Sequence, residues 1–440
     1  MNRVLFTIIF SLIFIGCNEK KEVVVDDTNM TVLNEYNKYK NEIISATEPI
    51  DRHLSNNAIE YINKLRVDSG LKPYIENKIL SKAASNHARY LSLNNDFSHV
   101  EKKETKGFTG EQVWDRVLYA GYHTGYSSEN ASYILQMKSN KDTDEIESVD
   151  GLMSGIYHRF SFLDLTTDEI GFRGFNTQFE KFFIYNMGNS KFNEFCNGVN
   201  AATSTNKKDN VYGFCKDKTV NISEEYFYRL EKLYDNDYVY FPNADNAKNF
   251  FSREQPRPMP SCKITGNPIS IEFNKFKSPV KIKSFKLFED GKEITDTKLL
   301  DASNDPNKML SKFQFALYPL KVLKYNQKYD VKVEYIQDDK EKVVNWSFKT
   351  FTPTYPYFVI KDGDKIEIES DKWYTLFFEP NDCNDEAYRR RVVSSTTDRF
   401  YVEVLGSNTL NIKVYDSKME KMVINMVDKN VTIFVKKWYN

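Results

Sequence analysis

The sequence predicts an α+β protein: an N-terminal layered domain of helices and antiparallel strands followed by two β-sandwich-like domains. Three observations predict it. Between residues 55 and 190, apolar residues recur at helical spacing and then change to alternating or continuous runs. From about residue 237 the chain is a series of strand-length runs broken by turn signals. Its 28 Tyr and 32 Phe supply core material and favour strands.

The elements follow in order. "NNAIEYINKLRVDSG" puts Ile59, Ile62 and Leu65 on one helical face and stops at Gly70. "NKILSKAASNHARYLSLNN" carries a stripe of Ile79, Leu80, Ala83, Ala84, His87, Ala88 and Leu91. "GEQVWDRVLYAGY" is a third helix ending at Gly121. "SENASYILQ" is helix-like, with Ser127 or Ser128 placed to cap it and Glu129 beside the cap. "DEIESVDGLMSGIYHRF" reads as one more helix, carrying Ile146, Val149, Leu152, Met153 and Ile156. "DEIGFRGF" and "KFFIYNMG" then read as two adjacent strands. Helices first and paired strands after imply a layered domain, assigned to residues 51–190.

Residues 191–235 hold a polar stretch between Cys196 and Cys215 and a helix-like "SEEYFYRLEKLYDN". A disulfide between those cysteines is expected to close the loop, worth about 3 kcal/mol on the chain-entropy model. Residues 236–351 show strand runs such as "VKIKSFKLFEDGKEI" and "QKYDVKVEYIQ", with "EDGK" as a hairpin turn, and imply an immunoglobulin-like sandwich. "TPTYPY" is a linker to a last β domain at 355–440. Cys262 and Cys383 fall in different expected domains, and the sequence leaves their pairing open.

The N-terminus speaks to location. "MNRVLFTIIFSLIFIGC" has Arg3 and then an uncharged, largely apolar run, too short to span a bilayer, which takes about 20 apolar residues. It fits a signal peptide over residues 1–16. "FIGC" resembles a bacterial lipobox, which implies lipidation of Cys17 and a membrane partner reached through that anchor. Residues 17–50 read as anchor and polar tether. A net charge of −1 argues against nucleic acid or an acidic polymer as partner.

Four stretches, "LRVDSGLKPYIENKILSKAASNHARYLSLNNDFSH", "AGYHTGYSSENAS", "SVDGLMSGIYHRFSFLD" and "DEIGFRGF", together resemble the CAP (SCP-like) superfamily of cysteine-rich secretory and pathogenesis-related proteins. The resemblance covers roughly residues 55–190 and implies the α-β-α sandwich. It also implies a cleft lined by two histidines and acidic residues. Carried over, these are His99 in "FSH", His158 in "YHR" and Glu129 in "SEN". Neutral imidazoles and a carboxylate can share a divalent metal such as Zn²⁺, and Glu129 can alternatively act as a base toward water. Around one such metal the two imidazoles would lie roughly 6–8 Å apart. The family's second glutamate, about a turn before the last histidine, has no counterpart here. The residue types alone also allow His158 to be a packed core histidine, and His87, on the apolar stripe, reads as one.

No HExxH, GxSxG, phosphate-binding glycine loop or CxxC occurs. Two function classes remain. The first is a lipid-anchored envelope protein, at the outer membrane or cell surface, whose CAP-like domain binds a ligand or envelope component. The second is a metal-assisted hydrolase of peptide or envelope polymer, with His99 and His158 as ligands and Glu129 as base.

Overall fold

The computed structural model describes residues 21–25 and 57–436, apart from 95, 136–143, 178–179, 199–209, 244–246, 252–253, 386–390, 396–399, 407, 416–419 and 427–428. The signal peptide, Cys17 and all of the tether except one strand, β1 (Lys21–Val25), lie outside the described residues. The chain divides into two compact units, Met30–Pro353 with Pro380–Glu386, and Met1–Asn29 with Thr354–Glu379 and Ala387–Asn440.

The first unit opens with a four-stranded sheet in the order β2 (Ile75–Glu76), β4 (Glu169–Asn176), β5 (Glu180–Gly188), β3 (Ser127–Leu135). β2 runs parallel to β4, and β5 is antiparallel to both β4 and β3. The strand period of two sends the side chains of β5 to opposite faces. Phe183, Tyr185 and Met187 pack with α1 (Asn57–Asp68), α4 (Asp144–Ser154) and α5 (Ile156–Phe162). Phe182 and Ile184 pack with Ala84, Ala88 and Leu91 of α2 (Lys78–Asn94), beside which lies α3 (Val113–Ala120). The result is an α-β-α sandwich. Helix α2 approaches the sheet closely at Gly171, where an added Cβ would sit 2.1 Å from the backbone of Leu80 and Ser81.

Two local readings change. "SENASYILQ" is not a helix but β3, because all nine residues from Ser127 to Leu135 pair with β5, and tertiary pairing overrides a short local signal. "DEIESVDGLMSGIYHRF" is two helices, broken at Gly155, whose backbone is extended (φ −85°, ψ 133°). The expected boundaries after residues 190 and 235 do not separate independent cores. Tyr234, Val239 and Phe241 pack with Ile59, Leu152 and Tyr185. Ile156 and Phe160 of α5 pack with Phe251, Met259, Leu310 and Tyr318.

Two antiparallel sheets follow. One has the order Thr297–Leu300, Gln314–Pro319, Ile269–Phe273, Tyr238–Phe241, and the other Lys292–Ile294, Lys281–Glu289, Lys328–Gln337, Lys340–Lys349. They close over a shared core that includes Ile271, Leu317, Leu287, Val333 and Trp346. The "EDGK" turn has Asp290 and Gly291 at φ 48° and 77°, the left-handed pair a tight hairpin turn needs. Cys196 pairs with Cys215, as expected, and Cys262 pairs with Cys383 across 121 residues.

The second unit has two sheets. One runs β1, Arg391–Ser395, Lys421–Asn425, Asn430–Lys436, Asp364–Glu369, and the other Tyr357–Ile360, Trp373–Phe378, Thr409–Val414, Phe400–Gly406. Ile368, Leu376, Ile412, Ile424 and Ile433 share their core. Residues 21–25, read as tether, are thus a strand of this unit: "KEVVV" pairs antiparallel with Arg391–Ser395.

Candidate functional site

Glu129 lies on β3 opposite Asn186 of β5, on the sheet face that α2 covers. Its side chain is 2% exposed. Both carboxylate oxygens lie 2.9 Å from Arg116 Nη2, and Oε1 lies 2.9 Å from His99 Nδ1. Asn186, with its amide turned so that the nitrogen faces the carboxylate, donates to Oε2 at 3.1 Å and accepts from Ala84 N at 3.0 Å. Burial by itself would raise the Glu129 pKa. His87, the Arg116 guanidinium and the His99 hydrogen bond outweigh burial and hold it at about 2, below its ordinary value of 4.5.

Behind Glu129 lies a network of charged groups. Arg116 is fully buried and also donates to the carbonyls of His99 and Glu111 at 2.9 and 3.2 Å. His87 is fully buried too. Its Nδ1 lies 2.9 Å from Glu101 Oε1, and its Nε2 lies 3.0 Å from Ser98 O and 3.6 Å from Glu129 Oε1. Both ring nitrogens face acceptors, and both can donate only in the imidazolium form. Arg116 is a buried cation set between the carboxylates of Glu129 and Glu101, 2.9 and 4.0 Å away, so the guanidinium is not left uncompensated. Glu101 also accepts from Thr109 N at 2.6 Å and Gly110 N at 3.3 Å, which pins the loop that carries His99. His87 is therefore buried, as its place on the stripe implied, but it serves the site from behind.

His158 sits on the first turn of α5, and Asn130 Nδ2 of β3 donates to its carbonyl at 2.9 Å. Its ring lies 6.5 Å from that of His99, centroid to centroid, with a 33° tilt. The two histidines and Glu129, about 30 residues apart from one to the next, therefore meet in one place. His99 is half exposed and His158 is 16% exposed. The His158 ring is held by Glu254, whose Oε1 lies 2.8 Å from His158 Nδ1. Arg159, beside it, does not reach the cleft. It is fully buried, donates to Pro268 O, Asn267 Oδ1 and Ser270 Oγ, and covers the Phe241 ring, fixing α5 to the sandwich.

Sequence reasoning missed Arg116, Glu101 and Glu254. Arg116 had a signal: it falls one turn from Val113 and Ala120 and next to Val117, on the buried side of α3, where an arginine is out of place unless paired. Glu101 stands two residues after His99. Glu254 had none. Among the described residues, no group of three or more His, Cys, Asp or Glu is arranged to hold a metal.

Residues 59–177 match the model of CAP, the cysteine-rich secretory protein family, and this part of the chain is a CAP domain. No curated protein matches the chain. Among solved structures, an outer surface protein of Borrelia burgdorferi is similar at 16% identity and a TM-score of 0.26, covering 32% of this chain and 98% of its own. An extracellular protein with an SCP domain from Bacillus anthracis is similar at 17% identity and a TM-score of 0.26, covering 31% of this chain and 41% of its own. Fibronectin(III)-like modules of Clostridium thermocellum CbhA are similar at 13% identity and a TM-score of 0.16, covering 46% of this chain and 94% of theirs.

Proposed function

We propose that this chain is an exported, lipid-anchored cell-envelope protein whose CAP domain binds a ligand or envelope component at the His99–His158 pair. One observation carries this reading. Two imidazoles lie 6.5 Å apart, each with Nδ1 against a buried carboxylate, Glu129 or Glu254. A carboxylate on Nδ1 keeps a proton there and leaves Nε2 as the lone-pair donor. The half-exposed His99 makes the pair reachable from solvent.

A divalent metal such as Zn²⁺ would find only two protein donors here among the described residues, fewer than the three or four of usual protein zinc sites, and would take its remaining ligands from the bound molecule or water. His99 and His158 would hold it, and Glu129 would orient His99 rather than bind the ion, since its oxygens are already taken by Arg116, Asn186 and His99. Such an ion would supply an attachment point for an anionic or carbonyl group of the ligand. The hydrolase reading asks Glu129 to accept a proton from water. A carboxyl held at about 2 and fully hydrogen-bonded is a weak base near neutral pH, which favours binding over turnover. Export and anchoring are supported by the "FIGC" junction and by two disulfides, which form in oxidising compartments.

The test is calorimetric titration of the full chain, in detergent, with Zn²⁺. His99→Ala and His158→Ala should each abolish the binding isotherm. An isotherm unchanged in both variants would discard the pair as the site.

A further inference from the structure

We propose that Glu254 is the positioning residue of His158, so that the site is completed by a side chain outside the matched CAP domain. What the site binds rests on the reading above, but the positioning role does not. The Glu254 side chain is 1% exposed and has four N–H partners. Its Oε2 accepts from Ile156 N at 2.9 Å. Its Oε1 accepts from Tyr157 N at 2.9 Å and His158 N at 3.2 Å, and lies 2.8 Å from His158 Nδ1. Three of these are the orphan N–H groups that open α5, and the residue before the helix, Gly155, has no side chain to cap them. A carboxylate from a distant segment caps the helix instead, and its Oε1 also holds the His158 imidazole in the same first turn.

Gly155 is what allows the approach. A Cβ there would lie 2.6 Å from Glu254 Oε1 and 2.7 Å from its carboxyl carbon. The segment bearing Glu254 is fastened in turn. Cys262 is bonded to Cys383, and Arg257 Nη2 donates to Cys262 O. Asn307 Nδ2 donates to both Arg257 O and Tyr157 Oη, while Tyr157 Oη donates to Asp305. The sandwich therefore holds the first turn of α5 through Glu254 and through Tyr157. The functional consequence is at His158: a carboxylate on Nδ1 fixes which nitrogen carries the proton and which way the ring faces.

The experiment uses the full chain in detergent with its five histidines labelled with ¹⁵N, His158 being assigned by loss of its signals in His158→Gln. Wild type should show a single Nδ1–H tautomer at His158. Glu254→Gln should replace it with a mixed or Nε2–H population and weaken Zn²⁺ binding 10- to 100-fold, the usual effect of removing such an outer carboxylate. Gly155→Ala, which displaces the carboxylate without removing it, should move the same signals the same way. The tautomer of His99, set by Glu129, should stay as it is in both, which a general loosening of the fold would not permit. If Glu254→Gln does not fold, Gly155→Ala and Glu254→Asp decide by the same spectra. An unchanged His158 tautomer in the folded variants overturns the proposal. A tautomer that follows Glu254 in a protein that binds no Zn²⁺ upholds the positioning role and removes the metal reading alone.

Discussion

At the scale of single residues, Glu129 shows how a buried carboxylate turns into a pH-dependent brace. Its partners lower its pKa from 4.5 to about 2 in the folded chain. A depressed carboxylate contributes stability above its unfolded value and loses it as pH falls through the folded one. The shift corresponds to roughly 3 kcal/mol, present in full above about pH 4.5 and gone below about pH 2. Urea unfolding of wild type should therefore weaken across that window more than unfolding of Glu129→Gln, which has no proton to take up at this position. Equal slopes in the two proteins would mean that the Arg116–Glu129–His99 contacts add no net stability.

At the scale of elements, close approach rather than propensity sets the geometry. α2 lies against β4 only because Gly171 has no Cβ. Gly171→Ala should push the helix off the sheet at a cost of about 1–3 kcal/mol, the usual penalty of overpacking. Because Ala84, His87 and Ala88 ride on that helix, the His87–Glu101 contact should loosen with it. Thermal unfolding measures the first effect and the His87 ring signals the second; a wild-type melting temperature would show that α2 can yield without loss. The break between α4 and α5 follows the same logic. The hydrophobic period runs on through Gly155, so the sequence reads as one helix. The chain turns there because a carboxylate from elsewhere occupies the helix start.

At the scale of the whole molecule, the domain that the family model matches is not a separable piece. Val239 and Phe241 complete the core of α1 and α4, Phe251 and Tyr318 cover α5, and Arg159 is buried against Asn267 and Ser270. A chain ended after residue 235 should expose Ile156 and Phe160, strand a buried guanidinium, and unfold at clearly lower urea than the intact protein, with rapid proteolysis as a second readout. A fragment as resistant as the full chain would show that the CAP part stands alone. Anchoring is tested on the whole chain as well. Cys17→Ala should leave the protein with its signal peptide attached or release it from membranes, and wild-type migration and fractionation would end the lipoprotein reading.

What the sequence determined by itself was what local periodicity and ordered motifs can carry. The helices over 57–68, 78–94 and 113–120 and the strand pair 169–188 follow from spacing. So does the β character after residue 237. The meeting of His99, Glu129 and His158 was legible only through four motifs in family order, since no single element spans them. What tertiary structure alone decided are the contacts that join distant segments. "SENASYILQ" became a strand because β5 was there to pair with it. Cys262 found Cys383 across 121 residues. His158 found its carboxylate at Glu254, nearly a hundred residues away in a stretch that carries no motif. A lone glutamate in a proline-rich segment looks like any solvated charge. Only burial, which removes water and makes each remaining N–H partner necessary, turns it into part of the site.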